Sequence, residues 1–240
     1  MNDPEDTEEL PASRKEERAT WLVTGANRGI GLAFARELAR RNQDVIATVR
    51  DPSRADELAK TGVRIELLDV ADRDSIAALA GRIGETPLDV LIHNAGRGSG
   101  ASTLADLSPG EPEAFFAVNT IGPMLLTRAL LANLERGRRR TVVGITSGLA
   151  SIAQSNGGWI AYRASKAALN MFQRTLAAEL STRRYTCVVL SPGWVKTDMG
   201  GPGATLTPER SVRGMLEVID RLTPKESGSF LDYRGREQPW

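Results

Sequence analysis

The chain has 240 residues, with 31 Lys and Arg against 30 Asp and Glu and a formal net charge of +1. No basic block is sustained enough for a bulk nucleic-acid binder, and no apolar run approaches the ~20 residues that span a bilayer, so neither nucleic acid nor membrane is an expected partner. The single cysteine, Cys187, cannot close an internal disulfide, which fits a reducing compartment and makes the expected location cytoplasmic.

Residues 1–19 hold seven acids and three bases with almost no apolar content, and are expected to form a disordered acidic leader. A first strand is predicted over 20–24, running into Gly25-Ala26-Asn27-Arg28-Gly29-Ile30-Gly31. Over 30–41, Ile30, Phe34 and Leu38 fall on one helical stripe. Strands are predicted over 44–49 and 63–68, then a helix over 72–83 with Asp72 as its N-cap. A fourth strand, 88–92, enters the loop His93-Asn94-Ala95-Gly96. A long helix over 113–135 precedes Arg138-Arg139-Arg140, read as a solvated turn, and a fifth strand over 141–145. A second long helix over 160–182, a strand over 185–190, a helix over 208–221 and a last strand over 229–232 complete the chain. Apolar strands separated by helices of ten or more residues predict an α/β fold. The expected architecture is a Rossmann-like, doubly wound parallel sheet of about seven strands with helices on both faces, a single domain over 20–240.

Gly25, Gly29 and Gly31 stand where a strand hands over to a helix. Such glycines let the backbone approach a pyrophosphate, whose charge the helix N-terminus favours. The spacing is one residue longer between the first two glycines than the common dinucleotide fingerprint, and a purely structural turn stays open. The absence of a following Lys-Ser/Thr disfavours a P-loop. Tyr162 and Lys166, four apart at the start of a helix, share one face. A free tyrosine titrates at about 10, and a neighbouring ammonium favours the phenolate. Lowering it by three units takes ~4 kcal/mol. An isolated Tyr-x-x-x-Lys is an ordinary surface pair. Ser147 changes that reading, because it lies just past the fifth strand, at a carboxyl end where ligands collect in such sheets.

Thr24-Gly25-Ala26-Asn27-Arg28-Gly29-Ile30-Gly31, Asp69-Val70, Asn94-Ala95-Gly96, Asn119, Ser147, Tyr162-Arg163-Ala164-Ser165-Lys166 and Ser191-Pro192-Gly193 stand in one order over residues 20 to about 200. In this the chain resembles the single-domain branch of the short-chain dehydrogenase/reductase family. Asp198-Met199-Gly200-Gly201, Thr207-Pro208-Glu209, Gly228-Ser229-Phe230-Leu231-Asp232-Tyr233 and Pro239-Trp240 are similar to the C-factor/sniffer-like carbonyl reductases.

The resemblance implies a catalytic tetrad of Asn119, Ser147, Tyr162 and Lys166. Tyr162 would be general acid in reduction and base in reverse, and Ser147 would hold the carbonyl oxygen. Lys166 would depress the Tyr162 pKa and hold the nicotinamide ribose, and Asn119 would anchor a water in a proton relay. Coenzyme contacts would come from Gly25, Asn27, Arg28, Gly29, Ile30 and Gly31 of the turn and from Arg50. Asp69 and Val70 would meet the adenine, Asn94, Ala95 and Gly96 the adenosine half, and Pro192, Gly193, Val195 and Thr197 the nicotinamide end, alongside Tyr162 and Lys166. No metal is implied. Ser147 precedes Tyr162 by 15 residues, two more than is commonest in the family. Gln154-Ser155-Asn156-Gly157-Gly158 would absorb the difference, with Ser151 the less favoured substitute for Ser147. His93, the one histidine, stands where many relatives have Asn and is read as a packed strand-end residue.

Asp51 lies near the offset of the acid that binds ribose hydroxyls in NAD enzymes, so NAD stays open. Arg28 and Arg50 favour NADP, because two guanidiniums can clasp a 2′-phosphate. The segment 196–207 is expected to be a mobile flap. Trp159 and Trp194 flank the site, either as pocket walls or as packing residues. The expected activity is an NADP-dependent oxidoreductase of aldehydes, ketones or quinones and their alcohols. The alternative is a coenzyme-binding signalling or regulatory protein with little turnover. Relatives also imply a homodimer or homotetramer built on the two long helices.

Overall fold

The computed structural model describes residues 18–98 and 100–240. Seven strands form one all-parallel sheet: β1 (Thr20–Val23), β2 (Asp44–Val49), β3 (Arg64–Leu67), β4 (Val90–His93), β5 (Thr141–Ile145), β6 (Thr186–Ser191) and β7 (Phe230–Asp232). Their order is β3-β2-β1-β4-β5-β6-β7. The order reverses between β1 and β4, and the crevice beyond their carboxyl ends is where such sheets bind ligands.

Alternation along the buried strands sorts side chains between the two faces. Trp21 and Val23 of β1, Val143 and Ile145 of β5, and Val188 and Leu190 of β6 join one core cluster. Helices α1 (Gly29–Arg40) and α8 (Pro208–Arg221) cover it through Phe34, Leu38, Val212, Met215 and Ile219. Leu22, Leu91, Val142 and Cys187 face the other way, under α3 (Arg73–Ile83), α5 (Gly122–Ala129) and the C-terminal half of α7 (Ile160–Glu179). Asp72 caps α3 as expected, its carboxylate accepting from Asp74 N. A four-residue helix, α2 (Asp56–Ala59), had no periodic signal.

One expectation is corrected. The long helix over 113–135 is instead α4 (Glu111–Phe116), a π-helical turn over Ala117–Ile121, α5, and α6 (Leu131–Arg136). Pro123 has no N–H to donate to the carbonyl of Asn119, four residues earlier, and its ring crowds that carbonyl. The backbone widens into a π turn there, as helices often do at functional positions. The turn Arg138-Arg139-Arg140 links α6 to β5 as expected, with Arg138 exposed, while its main chain is also laced down. Asp89, buried at the foot of β4, accepts from the main-chain N–H groups of Thr20, Arg138 and Arg139. Arg139 also donates to Ile219 O and stacks 5.1 Å from the Trp21 ring centroid. Of the leader expected over 1–19, residues 1–17 lie outside the described residues. Arg18 pairs with Asp44, and Ala19 is buried. Among the described residues no helix is long and apolar enough to cross a membrane.

Candidate active site

The glycine turn leaves β1 and is fastened to the end of β4. Thr24 Oγ1 accepts from the main-chain N–H groups of Asn94 and Ala95 and donates to Ile92 O. Asn94 Nδ2 donates to Thr24 O at 2.8 Å and Gly25 O at 3.1 Å. Gly25 has φ +65°, which glycine adopts at no steric cost, and a side chain there would lie 2.9 Å from Ala95 Cα. Thr24, quoted in the glycine motif but given no role from the sequence, is the residue that fastens this turn. Its signal was present, a hydroxyl at the last position before a glycine turn.

α1 opens with no side-chain cap on Arg28 and no acid in its first turn. Its leading N–H groups and its dipole therefore suit an anion. The residues fit a dinucleotide pyrophosphate, and Thr197 lies against Gly29 on the far side of the crevice. Asp51 is turned away from the ribose role, since its Oδ1 accepts from Ser53 N and Oγ and caps the short helix Pro52–Arg54. Arg50 is exposed at the end of β2 and makes no ion pair among the described residues. Arg28 is ion-paired with Asp198 of the 196–207 segment. Both side chains are exposed, so the pair contributes only about 0–1 kcal/mol and can yield to a phosphate. Asp69 Oδ1 accepts from Ala71 N, and Val70 beside it is buried.

The four tetrad positions converge beyond β4 and β5. Lys166 is buried on α7, its Nζ donating to Ile145 O at 2.7 Å. Asn119, in the π turn, is fully buried. Its Nδ2 donates to Arg97 O and Ser165 Oγ, and its Oδ1 accepts from Arg97 N. Gly96 brings the two together: a Cβ there would lie 3.5 Å from both Asn119 Oδ1 and Lys166 Nζ. Ser147 Oγ accepts from Leu149 N at 3.1 Å, capping the short helix Gly148–Ala150, and lies close enough to the Tyr162 phenol to favour its ionised form. The Tyr162 ring is wedged edge-on by Phe115 at 6.3 Å and Trp159 at 6.5 Å. Trp159 sits at φ +54° after Gly157 and Gly158, both also left-handed, and this run turns the longer loop into α7. Ser151, the alternative to Ser147, spends its hydroxyl on Gln154 N and Trp240 O.

Burial holds the Tyr162 phenol above its ordinary value, with only Ser147 acting the other way, so the depression expected from Lys166 is not found. Burial draws Lys166 down to about 8, so it is mostly an ammonium at neutral pH. That cost is visible in stability. The unfolded chain keeps this proton up to 10.5, whereas the folded chain releases it near 8. The Lys166 penalty is therefore full below pH 8 and shrinks as pH rises toward 10.5. Urea unfolding of Lys166→Met should show an advantage over the parent at pH 7 that falls by roughly 3 kcal/mol toward pH 10.5. A constant difference would contradict this. His93 is fully buried and held down to about 3, first by burial and then by the Lys166 charge. It shares a 2.8 Å hydrogen bond with Thr127 and stays neutral, a packed strand-end residue.

The 196–207 segment is tied rather than loose at its ends. Lys196 N donates to Leu206 O, Leu206 N to Trp194 O, and Trp194 Nε1 to Gly200 O. Gly193 has φ +78° and packs against Leu206 and Tyr233, Ser211 Oγ holds Pro192 O, and Val195 is buried. These contacts present 192–197 along the crevice opposite the glycine turn. Met199 packs against Gly98 of the loop after β4.

A parallel sheet with a glycine turn at its switch point and a Tyr-Lys-Ser group beside it defines a dinucleotide-dependent oxidoreductase. The family model described as short chain dehydrogenase matches residues 19–205, and the chain belongs to that family. It is 46% identical over 164 residues to the C-signal of Myxococcus xanthus, covering 68% of this chain and 99% of that one. It is similar in structure to an NADPH-bound carbonyl reductase from chicken fatty liver, with TM-score 0.87 and 37% identity over 93% of this chain and all of the other. The carbonyl reductase Sniffer of Drosophila melanogaster superposes with TM-score 0.87 and 31% identity, at the same coverage of this chain and 100% of its own.

Proposed function

We propose that this short-chain dehydrogenase/reductase is an NADP-dependent carbonyl reductase, acting on aldehydes, ketones or quinones through Tyr162. The observation that carries the reading is the placing of Ser147 close enough to the Tyr162 phenol to influence it, with Lys166 one helical turn away and buried against the end of β5. A carbonyl oxygen placed between the two hydroxyls receives a hydrogen bond from Ser147 and a proton from Tyr162 as negative charge builds on it. Lys166, mostly an ammonium at neutral pH and held on Ile145 O, lies in the same crevice to hold a nicotinamide ribose. Asn119 fixes the Arg97 backbone and, through Ser165, the start of α7. Ser165 Oγ in turn donates to Tyr162 O at 2.8 Å. NADPH, when bound along the glycine turn, Arg50, Asp69-Val70, Asn94-Ala95-Gly96 and 192–197, supplies the hydride.

Titration with NADPH and NADH, followed by NADPH oxidation against a panel of aldehydes, ketones and quinones, tests this. Tight NADPH binding with turnover supports it, and a folded protein that binds neither nucleotide overturns it. NADP is preferred because Asp51 is occupied by Ser53 while Arg50 is open. Arg50→Ala should raise the NADPH dissociation constant about tenfold or more and that of NADH less than about twofold, the worth of a charge-assisted phosphate contact. Equal losses for both would refute the NADP preference.

Similarity to the C-signal favours a second reading, a coenzyme-binding signalling protein with little turnover. Binding without turnover across the panel would support it. The buried thiol of Cys187 accords with a cytoplasmic setting, and residues 20–240 would act as one coenzyme-binding domain. Ile121, Met124 and Met171 are apolar and exposed on the π turn, α5 and α7, and support a homodimer or homotetramer.

A further inference from the structure

Next to the tetrad stands a cation with no counter-charge among the described residues. Arg97 directly follows Gly96, and its main chain is held on both sides by Asn119, at 2.8 Å through N–H and 2.9 Å through the carbonyl. Its guanidinium lies 5.5 Å from the ring centroid of Phe115. Phe115 is fully buried, and its next aromatic neighbour, at 6.3 Å, is Tyr162. Among the described residues no carboxylate pairs with Arg97. Glu111 Oε1 accepts from Ala101 N, Asp106 from Thr103 Oγ1, and Asp198 is paired with Arg28. Arg163, beside Tyr162, spends its guanidinium on Leu149 O and Asn156 Oδ1, and adds positive charge without a carboxylate partner.

A guanidinium resting on an aromatic face has already lost much of its rotamer freedom and presents a flat row of N–H donors. That is the geometry a carboxylate accepts in bidentate fashion. We propose that Arg97 recognises a carboxylate on the substrate, so that the enzyme favours carbonyl compounds carrying an anionic group. This rests on the reductase reading and names its substrate class.

The test compares terephthalaldehydic acid with its methyl ester as NADPH-dependent substrates. The two differ in one charge at the far side of a benzene ring, and comparing ratios between variants cancels their intrinsic reactivity. In Arg97→Gln the ratio of kcat/KM for acid over ester should fall about tenfold or more, chiefly through KM for the acid, with Arg97→Lys intermediate. Added salt should narrow the parent ratio. A ratio unchanged in Arg97→Gln overturns the proposal. If the parent reduces neither aldehyde, calorimetry with benzoate on the NADP-loaded protein separates the two readings. Benzoate binding that is lost in Arg97→Gln keeps the anion site and removes the reductase assignment. Benzoate binding that is absent, or equal in both, removes the anion site.

Discussion

Tyr162→Phe should lower kcat for carbonyl reduction by about 10³-fold while the NADPH dissociation constant moves by less than about threefold. The substitution deletes one oxygen and keeps the ring, so the edge contacts with Phe115 and Trp159 survive and the start of α7 stays in place. What goes is the proton donor beside Ser147. General acid catalysis contributes typically 10²–10⁴-fold. Water is a poor substitute here because the phenol is buried. Stopped-flow single turnover isolates the chemical step, and fluorescence titration of NADPH reports binding separately. An unchanged kcat would remove Tyr162 from the mechanism, whereas equal losses in binding and kcat would assign it to coenzyme positioning.

Strand positions were legible because a parallel sheet covered on both faces needs unbroken apolar runs. β2 and β5 fall on the predicted ranges, and the others shift by a residue or two. The site was legible where chemistry demands a residue type at a spacing: glycines at a β-α turn, and a tyrosine and lysine one helical turn apart. Arrangements decided by tertiary contacts could not be read. Pro123 breaks the helix beside Asn119, yet a proline in the first turn of a new helix and one inside an old helix look alike in sequence. Asp51 stands near the offset of a ribose-binding acid, but a serine two residues on captures its carboxylate. The flap is Gly-rich, which predicts freedom, yet its closure depends on pairing between Trp194–Lys196 and Leu206, a contact across the loop that composition does not encode.

Gly31→Ala should weaken NADPH binding by about 100-fold or more and lower Tm by several degrees, although it adds a single methyl group at a helical position. A Cβ at Gly31 would overlap Gly25 O and lie 2.5 Å from Asn94 Nδ2 and 2.9 Å from Ala26 Cα. Two of these three atoms are backbone. The third is the amide that fastens the turn by donating to Thr24 O and Gly25 O. The methyl group therefore cannot be absorbed by a rotamer change, and the turn itself must move off the end of β4. Overpacking of this kind costs about 1–3 kcal/mol, which at this chain length is roughly 2–4 °C in Tm per kcal/mol. The binding loss is larger because the displaced atoms are those that bring main-chain N–H groups to the pyrophosphate. Gly81→Ala is the internal control. It lies exposed near the end of α3 with nothing within 4 Å of the added carbon, and replacing Gly by Ala in a helix is favourable by up to about 1 kcal/mol. Gly81→Ala should thus hold or raise Tm with NADPH affinity intact. If Gly31→Ala lost stability but bound NADPH as tightly as the control, the turn would be a packing element alone and the pyrophosphate would have to be held elsewhere along the crevice.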